Sequence, residues 1–301
     1  MSGSARPASG VDAVVVNFNT GTALAERDAS LRSAGVDGVV VVDNGSVDRS
    51  LAALAEIDAE ARIVRAEVNL GYGTAVNRGA ALAAAPFLFV VNPDIVVGPD
   101  AVEVLAARLD CEPDLAVVGP LIRDRNGAAY PSARSFPSFA VGAAHALLGL
   151  IWPRNRWTKR YRGEAALDAT EQGRAREVDW VSGACALIRR EAFDSVGGFD
   201  EGYFMYVEDL DLCWRLRRAG WRVLFEPAAT VTHLQGLSTA AHPYRMLVAH
   251  HRSAWRFARK SLVGARALLL VPVAAGLIVR FGLASARQLL TGARGRPASL
   301  D

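Results

Sequence analysis

The sequence predicts an α/β fold with a mostly parallel central sheet and flanking helices, on three observations. Val-rich apolar runs recur at residues 13–16, 38–42, 63–66 and 87–91, helical patterns separate them, and each run closes on a short polar cluster. Buried parallel strands read as such uninterrupted apolar runs, bounded by Gly, Pro, Asp or Asn. The clusters are Asn17-Phe18-Asn19, Asp43-Asn44-Gly45-Ser46, Asn69-Leu70-Gly71 and Asn92-Pro93-Asp94. Open parallel sheets bind ligands at the carboxyl ends of their strands, so these residues are placed to line a nucleotide pocket.

Helices are expected over 21–34, 50–60, 74–85 and 99–110, a βαβα order that implies right-handed crossovers. Pro99 and Asp100 suit a helix start through the preset φ of proline and the attraction of a carboxylate to the N-terminal dipole. Residues 115–119 read as another strand, 123–127 as a turn and 131–161 as a long irregular segment of the kind that usually carries function. Strands follow up to Val181 and, after Ser182-Gly183-Ala184, up to Ile188; Gly197-Gly198-Phe199-Asp200 marks a turn. Tyr206, Val207, Leu210, Cys213 and Trp214 have the spacing of a buried helix face, with the helix opening at Glu208-Asp209 and capped by Gly220. Residues 221–225 form a last strand, and Val231-Thr232-His233 leads into Gly236 and Ser238.

With 301 residues and 51% hydrophobic content, the chain buries a full core. Residues 1–10 read as a loose tail without a secretory signal. Three cysteines, Cys111, Cys185 and Cys213, are too few and too scattered for a disulfide framework or a cysteine zinc site, and read as small buried hydrophobes. The net charge of +3 hides an asymmetry: residues 227–300 carry ten cations and no acid, which leaves −7 on the rest. Within that tail, 267–279 is apolar without interruption between Arg266 and Arg280. Thirteen residues fall short of the roughly 20 that span a bilayer. The expectation is an amphipathic helix lying in an anionic membrane interface, with Pro272 breaking its straightness; a helix packed on the domain is the alternative. Residues 140–152 are largely apolar and precede a stretch of Arg, Trp, Lys and Tyr, which again suits a membrane interface or a lipid-linked substrate, with an ordinary solvated loop as the alternative. No nucleic-acid module is recognisable, and nucleic acid is not expected as a partner.

Asp94 follows a buried strand and Pro93, where it can hold Mg²⁺ or Mn²⁺ against a diphosphate or, alternatively, cap a turn. Asp43 can accept the imide N–H of a pyrimidine base, although Asp-Asn-Gly-Ser is also good turn chemistry. Gly71, Gly73 and Gly79 form only a weak phosphate-loop pattern. Asn77, farther along the same helix, joins the nucleotide-site candidates. Glu208 and Asp209 occupy a first helical turn, where the dipole favours carboxylates and where Asp209 can act as a general base. His233 is either a neutral ligand to the same metal or a hydrogen-bonded histidine.

The motifs Val-Val-Asn-Phe-Asn, Val-Asp-Asn-Gly-Ser-Val-Asp, Asn-Leu-Gly-Tyr-Gly, Asn-Pro-Asp, Gly-Gly-Phe-Asp-Glu and Glu-Asp-Leu-Asp lie in this order from about Val11 to Ser238. Together they resemble the inverting glycosyltransferases of family 2 with a GT-A fold, most of all bacterial rhamnosyltransferases acting on lipid-linked acceptors. The resemblance implies that Asp43 contacts the base of a nucleotide-sugar donor, that Asn17 and Asn69 line its site with Asn19, Asn44, Ser46, Gly71, Asn77 and Glu208, and that Asp94 and His233 hold a divalent metal. It implies Asp209 as the base that activates an acceptor hydroxyl. Asn92 departs from the family pattern, standing where many relatives have the first aspartate of Asp-X-Asp. The expected organisation is a tail at 1–10, a transferase domain at 11–240 (donor half 11–120, acceptor and catalytic half 121–240) and a basic, apolar helical extension at 241–301. The expected setting is peripheral, at the cytoplasmic face of a bacterial cell membrane. A nicotinamide oxidoreductase would want Gly-X-Gly-X-X-Gly after the first strand, where this chain has Asn17-Phe18-Asn19-Thr20-Gly21. A non-catalytic sugar-nucleotide binder would have no need of Asp94 and Asp209.

Overall fold

A computed structural model describes residues 10–58, 61–136, 173–234 and 243–294. The chain divides into two units, one of Met1–Phe136, Gly163–Phe204 and Glu208–Ser238, the other of Pro137–Arg162, Met205–Val207 and Thr239–Asp301. Most of the aromatic and basic segment after residue 136 and the N-terminal tail lie outside the described residues.

The first unit is built on one sheet. Its first four strands in sequence are β1 (Val11–Asn17), β2 (Gly38–Asp43), β3 (Arg62–Arg65) and β4 (Phe87–Val91). They are followed by β5 (Ile95–Val97), β6 (Leu115–Arg123), β7 (Ala129–Tyr130), β8 (Ala133–Arg134), β9 (Arg176–Glu177), β10 (Trp180–Val181), β11 (Cys185–Arg189) and β12 (Arg222–His233). The main path runs β3-β2-β1-β4-β11-β6-β12-β5, while β8 and β10 pair separately. The pairs β3-β2, β2-β1, β1-β4 and β6-β12 are parallel; β11 runs antiparallel to both neighbours and β5 antiparallel to β12. Helices α1 (Ala23–Ser33), α2 (Ser50–Ile57), α3 (Tyr72–Ala80), α4 (Ala101–Cys111), α5 (Arg190–Ser195) and α6 (Glu208–Arg218) complete the unit.

Strand periodicity divides the core in two. Val11, Ala13 and Val15 of β1 and Val39 and Val41 of β2 pack with Leu24, Leu31, Leu54, Leu105 and Leu109 of α1, α2 and α4. Val14, Val16, Val40 and Val42 face the other way, toward Ala75 and Val76 of α3, Phe193 of α5 and Leu212, Cys213 and Leu216 of α6. Both faces are covered, which is why the strands read as continuous apolar runs.

Several elements differ from their sequence expectation. The last strand, expected over 221–225, runs on through His233 as β12, whose register slips between Glu226 and Thr230; Pro227 falls inside that irregularity, where a ladder N–H is not needed. The buried apolar side chains of α6 are Leu210, Leu212, Cys213 and Leu216, whereas Trp214 is half-buried under the Arg218 guanidinium, 4.8 Å from its ring centre. Tyr206 and Val207 precede α6 with φ of 69° and 71°, and so cannot extend its face. Cys185 and Cys213 are buried as expected, and Cys111 is exposed. The three glycines of the weak phosphate-loop pattern answer to packing: a Cβ would meet Phe204 O at Gly71, Phe199 at Gly73, and Val14 and Val42 at Gly79.

In the second unit, α7 (Pro243–Ser261) is followed by a 3-10 turn, Gly264–Leu269, and α8 (Leu270–Arg294). Phe281 of α8 packs edge-on against Tyr244 and His251 of α7, with ring centres 6.0 and 5.4 Å away. Pro272 lies in the first turn of α8, where helices need no N–H, and therefore does not break it. The helical stretch Gly264–Ala286, 23 residues, is long and apolar enough to cross a membrane, and 18 consecutive residues of it have a mean hydropathy of 2.2. This exceeds the thirteen-residue run read from the sequence because the helix continues past Arg280 into Phe281, Leu283 and Ala284.

Gly79→Ala tests the fit of α3 on the sheet. The new Cβ would lie 2.5 Å from Cγ1 of Val14 and 2.9 Å from Cγ2 of Val42, both on stiff β-branched side chains. Overpacking of about 1–3 kcal/mol outweighs the roughly 1 kcal/mol of helix propensity gained. The expected outcome is a lower urea midpoint with an unchanged slope.

Candidate active site

The parallel register sets Asn17 directly beside Asp43, at the carboxyl ends of β1 and β2. Asn17 is fully buried, and its Nδ2 lies 2.8 Å from Asp43 Oδ1, 3.0 Å from Ser46 Oγ and 2.8 Å from Ser50 Oγ. Its Oδ1 accepts from the Thr20 hydroxyl. Both ends of the amide are thus engaged within the protein, and Asn17 orients Asp43. The loop after β1 is stapled to the loop after β2: Asn19 N donates to Ser46 Oγ (3.0 Å) and Val47 N to Asn19 Oδ1 (2.9 Å). Asn19 holds this geometry at φ 54°, a region asparagine tolerates better than most residues.

Asn44 and Asn69 form a second knot. Asn44 Nδ2 donates to Asn69 Oδ1 (3.1 Å) and Gly71 O (3.3 Å), while Leu70 N donates to Asn44 Oδ1 (2.8 Å) and Gly71 N to Asn69 Oδ1 (3.0 Å). Gly71, at φ 89°, then opens α3, whose Tyr72 N donates to Phe204 O at 3.0 Å. Asn77 stands apart from this group. Its Nδ2 donates to Phe199 O and its Oδ1 accepts from Phe199 N, both at 2.9 Å, so it clasps the 197–199 turn rather than facing the strand ends.

The unanticipated strand β5 pairs His233 with Ile95 and so draws Asp94, one residue earlier, to the end of β12. His233 Nε2 sits 3.0 Å from Asp94 Oδ1, Leu234 N donates to Asp94 O at 2.8 Å, and the His233 ring packs edge-on against Tyr130. Asn92 is half-buried, with its N–H on Ala184 O (2.8 Å). Among the described residues no group of three or more His, Cys, Asp or Glu is placed to hold a metal. Two converging ligands nevertheless fit a cation such as Mg²⁺ or Mn²⁺, which fills its shell with phosphate and water oxygens. His233 Nδ1 is buried with no partner among the described residues.

Asp209, in the first turn of α6, is held at both oxygens: Gly183 N donates to Oδ2 (2.9 Å) and Leu210 N to Oδ1 (2.8 Å). Burial pushes its pKa up, while these two amides and the charge of Arg134 pull it back part of the way. Glu208 is buried with Oε2 unpartnered among the described residues; burial first, and then the charge of Asp209, push it up to about 8. Asp211 is the anchor of the helix, fully buried, accepting from Arg215 Nε (2.7 Å) and Tyr203 Oη (3.3 Å). The turn at Gly183 joins the early and late clusters. Tyr72 Oη donates to Gly183 O (2.7 Å), Gly183 N reaches Asp209, and Ala184 O receives Asn92 N–H. Burial raises the Tyr72 pKa well above its ordinary value, with the charges of Glu208, Asp209 and Asp94 contributing. Tyr72 was legible only as part of Asn-Leu-Gly-Tyr-Gly, and Gly183 and Arg134 stood in no recognised pattern.

The family model described as Glycosyl transferase family 2 matches residues 12–197, and that of Glycosyl transferase family group 2 matches 154–286. The N-acetylglucosaminyl-diphospho-decaprenol L-rhamnosyltransferase of Mycobacterium tuberculosis is 43% identical over 257 residues, 81% of this chain and 82% of that one. Rhamnosyltransferase WbbL of Escherichia coli K12 is 30% identical over 182 residues, 60% of this chain and 64% of that one. The mannosyltransferase PcManGT of Pyrobaculum calidifontis, solved with GDP-Man and Mn²⁺, superposes with a TM-score of 0.55 at 17% identity, covering 97% of this chain and 81% of that one. The fold is GT-A.

The elevated Glu208 pKa makes stability depend on pH. An acid whose folded pKa lies above its unfolded value of 4.5 binds its proton more tightly when folded, so its stabilisation is complete below that pH and is lost as pH rises toward about 8. The free energy of unfolding is expected to decline across this window in urea titrations, and Glu208→Gln to flatten the decline. A decline unchanged in the variant would assign the effect to another group.

Proposed function

The chain belongs to glycosyl transferase family 2 and is a glycosyltransferase, and we propose that it transfers L-rhamnose, from a nucleoside diphosphate donor such as dTDP-rhamnose, to a hydroxyl of a polyprenyl diphosphate-linked N-acetylglucosamine. The donor sugar and acceptor follow the names of the relatives at 43% and 30% identity. The observation that carries the chemistry is the convergence on the Gly183 turn: Asp209 is fixed there with both oxygens bonded, while Asn92 from the Asn-Pro-Asp cluster donates to Ala184.

Transfer is a single displacement with inversion. Asp209 takes the proton of the acceptor hydroxyl as its oxygen bonds to the anomeric carbon, and the bond to the nucleoside diphosphate breaks on the opposite face. A carboxylate raised by burial is a stronger base than an exposed one, and its two amide hydrogen bonds fix it for proton transfer. Asp43, oriented by Asn17, recognises the base, and the stapled loops carrying Asn19, Ser46 and Asn69 shape the nucleotide site. Asp94 and His233 would hold Mg²⁺ or Mn²⁺, which when bound supplies Lewis-acid stabilisation of the leaving diphosphate. Asn92 contributes no charge, so the diphosphate itself supplies more of the cation's anionic ligation. Residues 11–240 form the catalytic domain. Residues 241–301 attach it to the cytoplasmic face of the cell membrane, with the ten cations meeting anionic headgroups.

Asp209→Asn is expected to bind donor with wild-type affinity and to lose transfer by ~100- to 10,000-fold; nucleoside diphosphate release from a panel of nucleotide sugars, with Asp94→Ala and EDTA as controls, measures both. Near-normal turnover of Asp209→Asn would remove the base. Truncation after Lys260 is expected to abolish flotation with anionic vesicles, and retained flotation would refute the assignment of the C-terminal helix to the membrane.

A further inference from the structure

Arg134 occupies β8, directly opposite Trp180 of β10. The pairing continues through Ser182 N on Ser132 O (2.7 Å) to Gly183, whose N–H holds Asp209. The side chain is built into place. Its guanidinium carbon lies 5.2 Å from the ring centre of Trp180 and 5.9 Å from that of Tyr130, Nε donates to Pro131 O (2.8 Å), and Nη2 is 3.5 Å from Tyr130 Oη. Trp180 is itself fixed by Nε1 on Ser135 O (3.2 Å).

Four arginines of this unit are paired with acids, Arg108 with Glu226, Arg215 with Asp211, Arg217 with Glu177, and Arg222 with Glu112, Asp114 and Glu177, while Arg189 and Arg190 are held on backbone carbonyls. Arg134 has no carboxylate within ion-pairing distance among the described residues, yet its charge is felt at Asp209. A planar guanidinium held between rings, with its outer N–H groups unspent on protein acids, is suited to fork onto a phosphate.

We infer that Arg134 binds the diphosphate of the lipid-linked acceptor and thereby holds the acceptor sugar with its hydroxyl at Asp209, an assignment that rests on the acceptor class proposed above. The hydroxyl to be activated and the anomeric diphosphate of that acceptor are separated by the width of one sugar ring, so a phosphate cation is required close to the base. The donor diphosphate has its own candidate ligands in Asp94 and His233, through a metal. Arg134 therefore acts as an acceptor-binding and positioning residue.

The test uses the full chain in detergent and reads Trp fluorescence, since Trp180 stacks on Arg134. Wild type, Arg134→Lys and Arg134→Gln are titrated with a short-chain N-acetylglucosaminyl diphosphoryl lipid, with an uncharged alkyl N-acetylglucosaminide and with nucleotide-sugar donor. Arg134→Gln is expected to weaken the diphosphoryl lipid about 10- to 100-fold, as loss of a charge-assisted hydrogen bond does. Its preference for the charged over the neutral acceptor should collapse, donor affinity should hold, and Arg134→Lys should recover part of the loss. Unchanged affinity for the diphosphoryl lipid, equal loss for both acceptors, or a loss confined to the donor would each overturn the assignment; the last would place the donor diphosphate there instead. Arg134-dependent binding of the lipid by a wild-type protein that transfers no sugar to it would uphold this site and overturn the proposed reaction.

Discussion

The peptide of Gly183 holds the site together, because its two polar groups face in different directions and each is answered by a different part of the chain. Its carbonyl receives the Tyr72 hydroxyl from the donor half, and its N–H grips Asp209 at the start of α6. A Cβ here would stand 3.1 Å from Cβ of Asp209, so the two residues would have to part by a few tenths of an ångström. The neighbouring Ala184 carbonyl is taken by Asn92, so the antiparallel insertion of β11 between β4 and β6 is what brings the late acid to the early polar clusters.

Around that turn the polar residues divide into two kinds. Asn17, Asn44, Asn77 and Asp211 are spent on internal bonds and fix the loops, the turn at 197–199 and the helix. Leaving such buried groups unmatched would cost about 1–3 kcal/mol each, so the network is as much a requirement of folding as of binding. Asn17 also bonds Asp43, whereas Asp94 is held by His233 and Asp209 by the amides of Gly183 and Leu210. Burial around Glu208 and Asp209 works in a second way, by raising proton affinity beside a Tyr72 hydroxyl that keeps its own proton. Two buried carboxyl groups and a phenol thereby influence one another's proton affinity.

The C-terminal unit has a different physical character. Its helix α8 leaves Val271, Ile278 and Leu289 exposed, an arrangement that water disfavours and a lipid phase stabilises. Its aromatic contacts to α7 through Phe281 bind the two helices to each other. Such a surface fits the membrane attachment and lipid-linked acceptor proposed above.

The sequence alone determined the alternation of the first four strands with helices and the positions of the polar clusters, since β-branched runs and helical spacing are local signals. It also marked Asp94 and Asp209 as candidates, because a carboxylate after a buried strand or at a helix start serves a turn, a dipole or a ligand. Tertiary structure alone decided which asparagines turn inward, since burial is a property of neighbours: Asn17 and Asn77 read as site residues until Ser50 and Phe199 were seen to occupy them. The short strand β5, carried by three residues, was too brief to show a period, yet it sets Asp94 against a histidine 139 positions away. Arg134 gave no local signal at all, because what distinguishes it is the pair of rings beside its guanidinium, contributed by Tyr130 and Trp180 from separate parts of the chain.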